Sequence, residues 1–425
     1  VSLVLALLSP AAHAHATALL EGLDVHDHAL GGQVVEASFG VLWQDASDPT
    51  WRWICHEAVT QEGAVIAPRY AFGADGSILS AVPALEQSRE IGLPVYRTDD
   101  RCAWTPADGL TDVPVIDVAM HPTDAGEALA IAADVAGGTG GSIHHSADGG
   151  RSFEEVLASD GRFFRSVVYA PDGGAWVAAS WYDTPGAWAL HSADGGRTWT
   201  EHTLPLPEVE PGTDIDADVL LADETGAWFA VGAFRHDTLL HVTPDGTATL
   251  VATPDVELTD LALGEDGTLW LAGNGDTYMR LDADGLAVLE AAPVGQGVQV
   301  VGDTLRLAMR SRIDGRQLVE STDGGATFST SFHLSELQRP PTCPADSPVA
   351  IRCETLWPAL EERLPLPEGE EPEDEPGGDD SGGPTGDAPA ADGDAGAGKS
   401  ADGCGGGGAA GLLALPLLLA GRRRR

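Results

Sequence analysis

The sequence predicts an all-β chain folded as a β-propeller of seven blades, and three observations carry that reading. An eight-residue segment recurs almost unchanged at 146–153, 192–199 and 321–328, each time as Ser-x-Asp-x-Gly-x-Thr/Ser-aromatic. The copies are regularly spaced: Ser146 to Ser192 is 46 residues, and Ser192 to Ser321 is 129, or three steps of 43. Between the copies lie short apolar stretches joined by turn residues, and no long segment keeps a helical apolar period. Units of this length suit a four-stranded propeller blade.

Four degenerate copies complete the series. Ala46-Ser47-Asp48 leads to Trp53, Arg97-Thr98-Asp99 to Trp104, Thr243-Pro244-Asp245 to Leu250, and Asp282-Ala283-Asp284 to Leu289. Seven corners therefore start at 46, 97, 146, 192, 243, 282 and 321. The stretches between them read as hairpins. Ser166-Val167-Val168-Tyr169 turns through Pro171-Asp172-Gly173-Gly174 into Ala175-Trp176-Val177-Ala178. Leu261-Ala262-Leu263 turns through Glu265-Asp266-Gly267 into Leu269-Trp270-Leu271. Asp-Gly between alternating apolar residues is a strong short-range hairpin signal. Only one strand, from Phe328 to His333, follows the last corner, so residues 23–43 are expected to supply strands that complete the ring.

The recurring segment has a physical rationale. An Asp carboxylate can accept N–H bonds across a tight turn. The glycines permit positive φ, and the aromatic packs under the turn. In Ser146, Asp148, Gly150 and Phe153, in Ser192, Asp194, Gly196 and Trp199, and in Ser321, Asp323, Gly325 and Phe328, the chain resembles the Asp-box, or BNR, repeat. The resemblance covers roughly residues 23–333. It groups the chain with Asp-box β-propellers, among them sialidases, some glucan-cleaving glycosidases, sortilin-type receptors and photosystem assembly factors. In those families the boxes lie on the outer rim, which implies a structural role for the three aspartates rather than calcium binding or catalysis.

The two ends read as an export route. Leu3-Val4-Leu5-Ala6-Leu7-Leu8 runs into His13-Ala14-His15-Ala16, an apolar core followed by A-x-A-type cleavage sites, so residues 1–16 are expected to be a signal peptide. The propeller is placed at 17–333 and a disulfide-stapled extension at 334–366. Residues 367–403 are rich in Pro, Gly, Asp and Glu and read as a disordered acidic linker. A sorting tail occupies 404–425: Cys404 and Gly405, a short apolar run, then Arg422 to Arg425. This tail is similar to MYXO-CTERM sorting signals, with a glycine run like that of GlyGly-CTERM tails. The resemblance implies processing near Cys404 by a membrane protease and display on a Gram-negative cell surface, or release outside the cell.

The net charge of −43, with 66 acidic residues against 23 basic ones, argues against nucleic acid or an anionic membrane surface as partner. The membrane is then met only through the tail. An extracellular protein or glycan is the expected partner, the propeller is expected to be monomeric, and no cofactor is expected beyond loose Ca2+ binding to acidic surface. Cys55, Cys102, Cys343 and Cys353 precede the tail, an even number that fits two disulfides in an oxidising compartment. Three pairings exist. Cys55 and Cys102 each lie two residues from a corner tryptophan, Trp53 and Trp104, in adjacent blades. That favours Cys55–Cys102 and leaves Cys343–Cys353.

Catalytic constellations are sparse. A sialidase reading would require an arginine triad and a Tyr–Glu pair; the nearest fragment to its Arg-Ile-Pro motif is Arg312-Ile313-Asp314. No Gly-x-Ser-x-Gly elbow, His-Glu-x-x-His or phosphate loop occurs. Asp214, Asp216 and Asp218 form the densest acidic cluster and read as a solvated loop. His26 and His28 form an i, i+2 pair with metal-chelating spacing, and read otherwise as a surface loop. His144, His145 and His191 precede corners and read as strand ends. Trp181, Tyr182 and Trp188 flank Pro185-Gly186 and could stack on sugar rings at one mouth. Two functions remain: a surface-displayed binding module, with no catalytic residue assigned, and a secreted glycosidase.

Overall fold

The computed structural model describes residues 22–365, apart from 28–31, 61–67, 83–94, 111–112, 135–139, 160, 182–185, 208–214, 234–235, 275–276 and 311–314. Seven four-stranded antiparallel sheets follow one another along the chain, each an up-and-down meander of consecutive strands. They form a seven-bladed β-propeller. Blade 1 spans 22–54, blade 2 69–106, blade 3 115–158, blade 4 163–203, blade 5 216–252, blade 6 258–288 and blade 7 295–333. The first strands of successive blades, blades 1 and 2 apart, pack on one another around the axis. Burial falls from the middle of a blade to its rim. Second strands such as Ala175–Ser180 and Leu269–Gly273 are buried along their whole length, because neighbouring blades cover both faces. The rim strand Glu154–Ala158 has no buried residue.

All seven corners fall between the third and fourth strands of a blade. The three full copies share one hydrogen-bond pattern. Ser146 Oγ donates to Asp148 Oδ1 at 2.8 Å and accepts the Gly150 N–H at 2.7 Å. Asp148 Oδ1 also accepts the Arg151 and Ser152 N–H groups at 3.0 and 2.9 Å, while Oδ2 accepts the Ser152 hydroxyl at 2.6 Å. Asp194 and Asp323 are held in the same way by Ser192 and Thr198, and by Ser321 and Thr327. Partial burial works against the charge of Asp148 and Asp194, but these bonds outweigh it; at Asp323 the bond from Thr327 leads. All three carboxyls are held down to about 2.

The glycines explain how corners join blades. Gly150 and Gly196 have φ of +86° and +96°, and a Cβ there would lie 2.5 and 2.4 Å from Leu79 and Leu129 of the preceding blade. Only a hydrogen side chain allows that approach. Arg151 and Arg197 reach back to the same preceding blades, pairing with Asp99 and Glu127. Phe153 is buried among blade 2 residues, whereas Trp199 and Phe328 are partly buried.

The degenerate copies share the position and only part of the bonding; in blade 5 Thr243 Oγ1 still donates to Asp245 Oδ1 at 2.6 Å. In blade 2 the pattern is displaced by one residue from the copy starting at 97: Thr98 Oγ1 and Asp100 hold the turn, with Asp100 Oδ1 accepting the Cys102 and Ala103 N–H groups. Arg101, at φ 67°, stands where the full copies have glycine. In blade 6 the acceptor is Asp282, not Asp284, in a two-residue turn that pairs Asp282 with Gly285.

Residues 23–43 complete the ring as three strands of blade 1, and among the described residues no sheet is shared between the two ends. The first strand of blade 1 instead packs against blade 7 through side chains and close backbone. A Cβ at Gly297 would lie 2.7 Å from Asp24 Cα, so glycine permits the junction.

The disulfides correct the sequence-based pairing. Cys55 bonds Cys353 and Cys102 bonds Cys343, with Cα–Cα distances of 5.4 and 5.5 Å. Each bridge ties an early blade to the extension after blade 7, rather than two neighbouring blades or two parts of the extension. Proximity to the corner tryptophans misled because it ignored the returning chain. That chain packs Leu334, Leu337, Val349, Trp357 and Leu360 into the blade 1 core, and Gln338 bridges to Arg52. Cys353 is thereby buried beside Cys55. Residues 1–16, 367–403 and 404–425, with Cys404 and Gly405, lie outside the described residues.

Candidate functional site

The inner strands carry a run of short polar side chains at equivalent positions. Six of the seven inner strands have a register shift: Gly22/Asp24 in blade 1, Val115/Asp117 in blade 3, Phe164/Ser166 in blade 4, Leu258/Asp260 in blade 6, Gly295/Gly297 in blade 7 and, nearer the turn, Val219/Leu221 in blade 5. A bulge frees N–H groups from the ladder, and side chains take them up. Asp117 Oδ1 accepts the Val118 N–H, and its Oδ2 accepts the Val167 N–H of the next blade at 3.0 Å. Asp260 accepts the Leu261 N–H and, across to blade 7, the Val298 N–H at 2.7 Å. Ser166 accepts the Val219 N–H of blade 5 at 2.7 Å. These side chains brace one inner strand to the next.

Burial sets their protonation. It pushes Asp117 up to about 6, against the pull of Arg69 and the two N–H groups. Burial raises Asp260 well above the carboxylate range, and the charge of Asp24 adds to that. Asp237, which accepts the Leu258 N–H, is pushed by burial to about 6.

Blade 1 holds a different arrangement. Asp24 and His26 lie two residues apart on the inner strand Gly22–Asp27 and so share a face. Glu36, on the adjacent strand Gly32–Ala37, is the cross-strand partner of Asp24. His26 Nε2 sits 3.0 Å from Glu36 Oε1 and 3.4 Å from Asp24 Oδ2. The three potential ligand atoms all lie within 4.8 Å of one another. Glu36 is 7% exposed. Burial favours neutral His26, but the charge of Asp24 and the bond to Glu36 outweigh it and raise the imidazole to about 9. Burial raises Glu36, and His26 opposes the rise. His28, which the sequence pairs with His26, lies outside the described residues. Asp24 and Glu36 went unnoticed because their meeting depends on hairpin register, although Asp-x-His on an alternating strand was a readable signal.

The meander fixes which end of the ring carries these groups. Corners and first-to-second turns share one end; second-to-third turns lie at the other. Asp24 and Glu36 lie near the second end, as do Trp181 and Trp188. Trp181 and Trp188 meet edge to face at 6.1 Å, and the Arg162 guanidinium lies 5.4 Å from the Trp188 ring centre. Tyr182 lies outside the described residues, as do Asp214 and Arg312 to Asp314. Asp216 and Asp218 are on the inner strand of blade 5, not in a solvated loop, and Asp216 pairs with Arg165 at 3.1 Å.

The three histidines that precede corners make local contacts. His144 meets Ser142 Oγ at 2.8 Å, His145 pairs with Glu127, and His191 stacks on Trp176 at 4.4 Å. Tyr96, Tyr169 and Tyr278 donate to backbone carbonyls.

No protein-family model matches the chain, and no curated protein matches it. Solved structures do. The GH74 xyloglucanase of Xanthomonas campestris is similar over 73% of this chain and 53% of its own length, at 14% identity and a TM-score of 0.53. The chain thus spans about half of that enzyme, and the likeness is one of fold. YCF48 from Cyanidioschyzon merolae aligns over 68% of this chain and 93% of its own, at 14% identity and a TM-score of 0.46. A puromycin-hydrolysing peptidase of Mycobacterium tuberculosis aligns over 76% and 54%, at 16% identity and a TM-score of 0.49.

Proposed function

We propose that this protein is an exported, surface-anchored propeller of the Asp-box type that binds an extracellular protein or glycan and cleaves nothing. One observation carries the reading. The inner-strand carboxylates of Asp117 and Asp260 are each occupied by two backbone N–H groups. A further close pair, Asp24 and Glu36, converges on a single histidine nitrogen. A glycosidase needs its two carboxyl groups about 5–10 Å apart with the sugar between them. Here His26 fills that space. The ligand surface lies at the end opposite the corners, where Trp181 and Trp188 offer apolar rings beside Arg162.

Export is supported by the two disulfides, which belong to oxidising compartments. Anchoring rests on the Cys404–Gly405 tail and its arginine cluster. The test is a glycan and surface-protein array probed with purified protein, run beside reducing-sugar release from xyloglucan and other β-glucans. Retention that weakens in Trp181→Ala, without sugar release, is the expected result. Sugar release that disappears in Glu36→Gln would establish the hydrolase reading instead.

A further inference from the structure

We infer that Asp24, His26 and Glu36 form a binding site for one divalent first-row transition-metal ion at the wall of the propeller channel. The inference goes beyond the binding reading and does not depend on the ligand. Two features of the geometry carry it.

The first is the spacing of the donor atoms. Zinc and its neighbours bind imidazole nitrogen and carboxylate oxygen at about 2.0–2.2 Å. Two ligands on such an ion are then about 3.0 Å apart at a right angle and about 3.4 Å apart in a tetrahedron. His26 Nε2 lies 3.0 Å from Glu36 Oε1 and 3.4 Å from Asp24 Oδ2. The third separation also stays within 4.8 Å. One ion therefore fits between the three with small side-chain movements, taking the place of the proton that His26 Nε2 shares with Glu36 and releasing it to water. Calcium, with six to eight oxygens at about 2.3–2.6 Å, fits this nitrogen-containing set poorly.

The second is that the ligands are held from outside the site. Asp24 Oδ1 accepts the Val25 N–H at 2.7 Å, which leaves Oδ2 turned to the histidine. The His26 ring lies against Phe72 of blade 2, with centres 4.9 Å apart. Glu36 is more than nine-tenths buried and aims its carboxylate into the cluster. Such support orients metal ligands in known sites. Among the described residues, no other three His, Cys, Asp or Glu side chains converge as closely. Three protein ligands leave coordination positions open, and the side chains of His26 and Asp24 keep 30% and 35% exposure. Water, or an oxygen of a channel ligand, would complete the shell.

The experiment uses the untagged full chain, stripped with a chelator and held in millimolar Mg2+ to saturate the acidic surface. Zn2+ is titrated by calorimetry, and Co2+ by its visible absorption. The expected result is one saturable site per chain, a Co2+ spectrum with a nitrogen–oxygen ligand set, and a rise in melting temperature with Zn2+. Glu36→Gln keeps shape and hydrogen-bonding capacity, and His26→Gln is the second variant. Each should weaken Zn2+ binding at least tenfold and abolish the Co2+ spectrum, while Asp216→Asn should change neither. Non-saturating uptake by the wild type would overturn the inference. So would a single tight site that survives in both folded variants.

Discussion

The two disulfides are nested, and nesting makes a quantitative prediction. Cys55–Cys353 closes a ring with a sequence separation of 298, and Cys102–Cys343 lies inside it with a separation of 241. With either bridge in place, the other closes only the remainder, 298 less 241, or 57 residues. The loop-entropy relation gives about 4 kcal/mol for a ring of that size, and about 6 kcal/mol for the outer ring closed alone. Replacing Cys102 and Cys343 by Ala should therefore cost about 4 kcal/mol, and replacing Cys55 and Cys353 the same. Removing all four should cost about 10 kcal/mol, more than twice either single loss. For a folded body of this length, at about 2 cal/mol/K per residue, 4 kcal/mol lowers Tm by about 5 °C. Calorimetry of the three variants, with guanidinium midpoints as a check, reads both magnitude and non-additivity. A non-reduced peptide map supplies the connectivity. The reasoning fails if that map joins Cys55 to Cys102, or if loss of all four costs no more than loss of one bridge.

Two further predictions concern protonation and the ring junction. Asp148, Asp194 and Asp323 are held near 2, so their contribution is complete above the unfolded value near 4 and is lost as pH falls toward 2. Asp117 is pushed the other way, to about 6, so its folded form binds a proton more tightly. Stability then falls as pH rises from about 4 to 6, by about 3 kcal/mol from this group. Between about pH 4 and 6 the wild type should therefore lose more stability than Asp117→Asn, and identical pH profiles of the two would refute the assignment. At the junction, Gly297→Ala places a Cβ 2.7 Å from Asp24 Cα and 2.8 Å from the Leu23 carbonyl. It should cost about 2–3 kcal/mol in urea unfolding. Gly302→Ala, strained at φ +56° but with no atom within 4 Å, should cost about 1 kcal/mol. Equal costs would show that the close approach at Gly297 is not what demands glycine.

The blades were legible because their signal is local and repeated. A Ser hydroxyl, an Asp carboxylate and two glycines within five residues make a complete set of hydrogen bonds, and the bonding at Ser146, Ser192 and Ser321 is the same. Where the set is incomplete, position survives, and in blades 2 and 6 the register slips. Thr98 and Asp100, not Arg97 and Asp99, hold the blade 2 turn, since a hydroxyl and carboxylate two apart can form it and an arginine cannot. The channel groups were illegible for the opposite reason. Asp117 and Asp260 matter because each reaches the next blade, and Asp24 meets Glu36 only across a hairpin. Each such contact needs a register or a blade angle that no short window contains.

Ring closure shows the same division, and it explains why the extension exists. When every sheet consists of four consecutive strands, no backbone ladder among the described residues joins the last blade to the first. The junction must rest on side-chain packing and the glycine approach at Gly297, and these alone leave the two ends free to part. The chain after His333 answers that weakness. Beside Phe332 of blade 7, which stacks on Trp51 at 4.3 Å, it donates the Gln338 N–H to the Trp51 carbonyl at 2.9 Å. It then buries Trp357 beside Trp53 and ends its two disulfides in blades 1 and 2. A strap that leaves blade 7 and is bonded to both of the next blades resists opening in a way that packing at one interface cannot. Reduction should therefore weaken the 7–1 junction before any other, and hydrogen exchange after reduction should rise first in Gly22–Asp27 and Gly295–Val301. Exchange that rises uniformly over all seven blades would place the role of the strap elsewhere.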